Sequence, residues 1–149
     1  MANILIVFGS STGNTESIAH AIERKLLDAG HTVRVQNAAD VSPLHLASGF
    51  DVVLLGCSAW GEEEIELQDD FATFFEDIEN MDLKNVKLAA FASGDREYPH
   101  FCGAVDVIEE KARALGAILI AEGLRLEGDD SGNEDEIASF ASEVIKSLA

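Results

Sequence analysis

The feature that most constrains this chain is a strict alternation of short apolar runs with segments of helical periodicity. The runs are Ile4-Leu5-Ile6-Val7-Phe8, Val33 to Val35, Val52-Val53-Leu54-Leu55, Leu88-Ala89-Ala90-Phe91 and Ile118-Leu119-Ile120. Between and after them, apolar residues recur at helical spacing: Ile18, Ile22 and Leu26; Phe71, Phe74, Phe75 and Ile78; Val105, Ile108, Ala112 and Leu115; Ile137, Phe140, Ala141, Val144 and Leu148. Each set marks one buried helix face. Strands alternating with helices are joined by right-handed crossovers, which makes the sheet parallel and covers both its faces. The expected architecture is an α/β fold, a three-layer α/β/α sandwich around a five-stranded parallel sheet.

Strand character orders that sheet. The first, third and fourth runs are continuously apolar, as strands covered on both faces should be. Thr32-Val33-Arg34-Val35-Gln36 and Leu124-Arg125-Leu126 alternate, which suits edges. The order 2-1-3-4-5 fits, and it places a ligand crevice beyond the carboxyl ends of the strands, near the switch between the first and third. Function is therefore expected in the loops after the first, third and fourth strands. Gly30 and Gly116 are expected to end two helices, and Ser42-Pro43 to start a short extra one. Ser131-x-x-Glu134 reads as a capping box opening the last helix.

The 149 residues are expected to form a single domain, 1–149. Its 28 acidic residues against 10 Lys and Arg give a net charge of −18, which argues against nucleic acid and anionic membranes as partners. No apolar stretch approaches the ~20 residues that span a bilayer. Met1-Ala2-Asn3 leads straight into the first strand, so no secretory signal is expected. Cys57 and Cys102 form no CxxC pair, which suits reduced thiols in a cytoplasmic protein. No large apolar stripe calls for a dimer, so a monomer is expected.

The first loop, Gly9-Ser10-Ser11-Thr12-Gly13-Asn14-Thr15, sets four hydroxyls, one amide and two glycines at a helix N-terminus. Amide groups and the positive end of the helix dipole converge there on an anion. The Lys of a P-loop is absent, and so is G-x-G-x-x-G. Neutral donors without a cation suit a single terminal phosphate. The one Trp and the one Tyr of the chain fall in the other two loops, outside any strand or helix pattern. Trp60 lies in Cys57-Ser58-Ala59-Trp60-Gly61, and Tyr98 in the stretch from Ser93 to Gly103. Two large rings at the ligand edge suggest a flat aromatic ligand held between them.

Together, Gly9 to Thr15, Trp60-Gly61, Gly94-Asp95, Tyr98 and Phe101-Cys102-Gly103 resemble a flavodoxin, of the short-chain type found in sulfate-reducing bacteria such as Desulfovibrio. The resemblance covers essentially the whole chain and implies the flavodoxin-like version of the fold above. It implies bound FMN, with Ser10, Ser11, Thr12, Gly13, Asn14 and Thr15 around the phosphate. Trp60 and Tyr98 would sandwich the isoalloxazine, and the backbones of Asp95 and Cys102 would meet its pyrimidine edge. The Gly61 carbonyl would turn towards flavin N5 when that atom is protonated. Ser58, Ala59, Ser93, Gly94 and Phe101 complete the implied cofactor contacts. Arg96 and His100 stand beside the same loop, and His100 could titrate near the flavin around neutral pH.

Charge adds a mechanism to that resemblance. Glu62, Glu63, Glu64, Glu66, Asp69 and Asp70 crowd the positions after Trp60-Gly61. At ~12 Å and an effective dielectric of ~50, each carboxylate opposes an added flavin electron by about 0.5 kcal/mol. Six sum to roughly 3 kcal/mol before salt screening, on the order of 130 mV for a one-electron step. Protonation at N5 makes the semiquinone neutral, so that state escapes the penalty. The expected protein is a low-potential one-electron carrier, shuttling between semiquinone and hydroquinone and serving redox proteins with basic patches.

A second acidic cluster, Glu127, Asp129, Asp130, Glu134, Asp135 and Glu136, lacks the spacing of a calcium loop and reads as helix capping and surface charge. His20, His31, His45 and His100 form no ligand motif, and no metal site is expected. An FMN-dependent quinone or azo reductase would need added segments to build a pocket for a hydride donor, and none is evident. A phosphorelay receiver would need an acidic pair after the first strand and an Asp ending the third. Gly9-Ser10 and Cys57-Ser58 stand there instead. A low-molecular-weight phosphatase would need Cys and Arg in the first loop, which has neither.

Overall fold

The computed structural model describes residues 2–10, 13–60, 66–94 and 102–148, with Trp60 and Glu66 as backbone only. In chain order the elements are β1 (Asn3–Gly9), α1 (Asn14–Asp28), β2 (Thr32–Asn37), a 3-10 turn at Ala38–Asp40, β3 (Val52–Cys57), β4 (Ala59–Trp60) and β5 (Glu66–Leu67). They continue with α2 (Asp69–Glu76), a 3-10 turn at Ile78–Met81, β6 (Lys87–Gly94), α3 (Gly103–Ala114), β7 (Ile118–Leu119), β8 (Leu124–Glu127) and α4 (Glu134–Lys146).

The main sheet runs β2-β1-β3-β6, with β7 and β8 both paired to β6 and every pairing parallel. Alternation along β1 divides the core into two layers. Ile4, Ile6 and Phe8 join Ile18, Ile22 and Leu26 of α1 and Ile137, Phe140 and Val144 of α4. Leu5 and Val7 point the other way, into Phe71 and Phe74 of α2 and Val105 and Ile108 of α3. β3 is buried at all six positions, whereas no position of β2 is fully buried, as suits an edge strand. The expected strand order and layering are those observed.

The fifth strand position departs from expectation because it is filled in two pieces. β7 pairs with Lys87 and Leu88, and β8 with the stretch from Phe91 to Gly94. Ile120 falls between the pieces, its amide donating to the Leu88 carbonyl at 3.1 Å. The chain there presses onto α3: a Cβ at Gly123 would stand 2.2 Å from Cγ1 of Val105.

Two local expectations fail. Ser42-Pro43 opens turns rather than a helix, with the Leu44 amide donating to Ser42 Oγ and the Leu46 amide to the Pro43 carbonyl. His45 follows with φ 54°, which cannot continue a right-handed helix. The capping box at Ser131 does not form either. Gly132, at φ 76°, turns the chain before the helix, leaving Asn133 at the N-cap and Glu134 as the first helical residue. Asn133 donates instead to the carbonyls of Glu127 and Asp129, at 3.1 and 2.7 Å. Gly30 and Gly116 do follow the ends of α1 and α3.

Candidate cofactor site

Strand register brings the three loops to one edge. Gly9 at the end of β1 pairs with Cys57 at the end of β3, and Gly56 pairs with Phe91 of β6, which runs on to Gly94. Ser10, Ser58 and Gly94 therefore stand at the same end of three adjacent central strands.

In the first loop, Ser10 Oγ accepts a hydrogen bond from the Gly13 amide at 3.0 Å. Gly13 is the N-cap of α1, at φ 92°, a left-handed conformation that glycine adopts without strain. Among the described residues no side chain caps α1. The amides of its first turn have no intrahelical acceptors and carry the positive end of the dipole. Thr15, one residue into the helix, is fully buried, and its Oγ1 has no hydrogen-bond partner among the described residues. A buried hydroxyl left unpaired costs about 1–3 kcal/mol. Its neighbours are a helix N-terminus and neutral donors, which suits a phosphate oxygen as the missing partner. Asn14 is half-buried beside it. Ser11 and Thr12 lie outside the described residues.

The second loop leaves β3 through Ser58 and Ala59, both half-buried. Trp60 then lies in a strand after all: β4 pairs antiparallel with β5, Ala59 opposite Leu67 and Trp60 opposite Glu66. A two-residue pairing is too short to show any sequence period. Gln68 closes the base of this hairpin, its amide donating to the Ser58 carbonyl at 2.8 Å. The buried Gln68 side chain accepts from the Phe71 amide at 3.0 Å and donates to Asp70 at 3.2 Å, capping α2. Gln68 carries no sequence signal for this role, since N-caps are ordinarily Ser, Thr, Asp, Asn or Gly. Asp69 and Asp70 are exposed in the first turn of α2, where the dipole favours them. Gly61, Glu62, Glu63 and Glu64 lie outside the described residues.

In the third loop, Ser93 is buried and its hydroxyl donates to the Gly128 carbonyl at 2.5 Å. Gly94 ends β6. Asp95, Arg96, Tyr98, His100 and Phe101 lie outside the described residues. Cys102 is the N-cap of α3, buried, at φ 51°. Its Sγ donates to the carbonyls of Ala92 and Leu126, at 3.6 and 3.4 Å. Arg125 Nη1 donates to the Cys102 carbonyl at 3.1 Å, and the same guanidinium grips Asp106 at 2.6 and 3.2 Å. The hydrogen bond to Asp106 raises the Arg125 pKa further above its already high value. Burial pushes the Cys57 thiol up to about 12, outweighing a hydrogen bond with the Gln68 backbone. Both cysteines are buried and neither forms a disulfide.

A parallel sheet of this order, with a buried hydroxyl that has no partner among the described residues at its switch point, defines a doubly wound domain of the class that takes its ligand at this edge. Comparison with known proteins narrows this class. Residues 6–140 match the family model described as Flavodoxin. The flavodoxin of Maridesulfovibrio salexigens is 49% identical over 152 residues, covering 99% of this chain and all of the relative. That of Nitratidesulfovibrio vulgaris is 44% identical over 148 residues, with 99% and 100% covered. Among solved structures, oxidised flavodoxin 2 from Bacillus cereus superposes with a TM-score of 0.89 at 35% identity, covering 98% of this chain and 99% of that one. The chain belongs to the flavodoxin family, the FMN-binding flavoproteins of electron transport. Among the described residues no helix is long and apolar enough to cross a membrane.

Proposed function

We propose that this flavodoxin is a low-potential one-electron carrier, cycling its non-covalently bound FMN between the singly and doubly reduced states. The observation that carries the reading is the Thr15 hydroxyl, fully buried at the N-terminus of α1 with no partner among the described residues. Ser10, Ser11, Thr12, Gly13, Asn14 and Thr15 hold the FMN phosphate through neutral donors and the helix dipole. Trp60 and Tyr98 cover the two faces of the ring and exclude water from it. Gly61, Asp95 and Cys102 present backbone groups to its edge, while Ser58, Ala59, Ser93, Gly94 and Phe101 line the remainder. The bound flavin supplies the one-electron chemistry. The carboxylates from Glu62 to Asp70 oppose accumulation of negative charge and lower the potential. The same rim attracts redox proteins with basic patches in weak, salt-sensitive encounters.

We place the protein in the cytoplasm as a monomer. Its two buried thiols and the scattered positions of its large exposed apolar residues, Leu27, Leu44 and Ile118 among the described ones, support that form. A flavodoxin from Fusobacterium nucleatum solved with FMN bound shares the fold, with a TM-score of 0.81 at 16% identity over 99% of both chains.

The test is anaerobic stepwise reduction of the FMN-loaded protein followed by its visible spectrum. Two separated one-electron stages, the second only at low potential, support the carrier. A single two-electron bleach, or rapid reduction by NAD(P)H alone, supports the quinone or azo reductase instead. FMN binding no tighter than riboflavin binding overturns the phosphate assignment.

A further inference from the structure

Cys102 holds a backbone conformation that a non-glycine residue adopts at a cost of about 1–2 kcal/mol, φ 51° and ψ 37°. Such a residue persists where its surroundings over-determine it. Three contacts do so. The thiol is tied to carbonyls of β6 and β8, at Ala92 and Leu126. Gly94 lets β6 pack close beneath it, since a Cβ there would stand 3.1 Å from the Cys102 amide nitrogen and 3.2 Å from Sγ. The third contact comes from β8: Arg125 donates to the Cys102 carbonyl while its fork holds Asp106, one turn along α3. Arg125 thus ties a strand, a helix N-cap and the first helical turn with one planar group, a geometry that the flexible ammonium of Lys does not reproduce.

We propose that Arg125 is a positioning residue for the flavin ring, acting through the backbone of Cys102. The inference rests on the reading above that the Cys102 backbone meets the ring edge. Arg125 fixes the direction in which that backbone faces the cofactor, and its charge balances Asp106. A flavin held there loses ring contacts, not phosphate contacts, when the clamp opens.

The experiment titrates full-length protein, stripped of flavin, with FMN and with riboflavin. It uses Arg125→Lys, which keeps the charge and loses the fork, and Arg125→Gln, which loses both. Measurements are made well below the unfolding transition, and circular dichroism verifies that each variant is folded. Both variants should bind FMN and riboflavin about tenfold more weakly, by the same factor for each ligand, as loss of one charge-assisted hydrogen bond implies. Arg125→Gln should also make addition of the second electron harder, because it removes a positive charge near the flavin edge, whereas Arg125→Lys should not. Unchanged affinities in both folded variants overturn the inference, and so does a loss confined to FMN. Failure of the unmodified protein to bind FMN would overturn the proposed function itself.

Discussion

Gly9 and Gln68 meet across the base of the first loop. A Cβ on Gly9 would stand 2.4 Å from Oε1 of Gln68 and 2.6 Å from the Cβ of Phe71. The end of β1 therefore lies directly against the N-cap of α2, and the first two loops share one anchor.

Gly9→Ala should destabilise the flavin-free protein by about 1–3 kcal/mol in urea unfolding, since backbone and cap must part to admit a methyl group. Gly13→Ala should cost only about 1 kcal/mol. Nothing among the described residues lies within 4 Å of a Cβ there, and the penalty is that of the left-handed conformation.

Gln68→Ala should cost about 1 kcal/mol or more, because the Phe71 amide loses its cap. Combined with Gly9→Ala, the loss should be smaller than the sum of the two, since truncating Gln68 removes part of the clash. A double-mutant cycle measures this coupling.

Thr15→Val should move two properties in opposite directions. Removing an unpaired buried hydroxyl should stabilise the flavin-free protein by about 1 kcal/mol. FMN affinity should fall at least tenfold while riboflavin affinity stays the same. Thermal unfolding and paired titrations read the two effects separately.

Stability should fall as pH rises above about 9. The folded state holds the Cys57 proton up to about 12, against 9.0 for an ordinary thiol, so the unfolded chain releases its proton first. The thiol's contribution is whole below pH 9 and declines across the window up to about 12, at no more than about 1.4 kcal/mol per pH unit. The comparison is of urea midpoints against pH for the native chain and Cys57→Ala, whose curve should be flatter there.

Asp69→Asn and Asp70→Asn should each raise the potential of the second electron by about 20 mV at low ionic strength, with the shift shrinking in high salt. Spectroelectrochemical titration at two salt concentrations measures both.

The layers, the strand order and the first loop were legible in the sequence because each leaves a local trace. A buried strand reads as an apolar run, a helix face as a three-to-four period, and a strand-to-helix loop as a break in both patterns. The capping box misled because Ser131 and Glu134 have the right spacing, while the left-handed Gly132 between them displaces the helix start. The strand that holds Trp60 leaves no trace in the sequence, since two paired residues have no period.

Alternation of apolar residues alone dictated a parallel sheet with two helical layers and a ligand edge, because burial of periodic faces is a property of neighbouring residues. Tertiary structure alone decided how that edge is held: Gly9 against Gln68, Arg125 on Cys102 and Asp106, and a fifth strand broken where Gly123 meets α3. These contacts join residues distant in the chain, so they depend on the packed distances between elements, which no local pattern records.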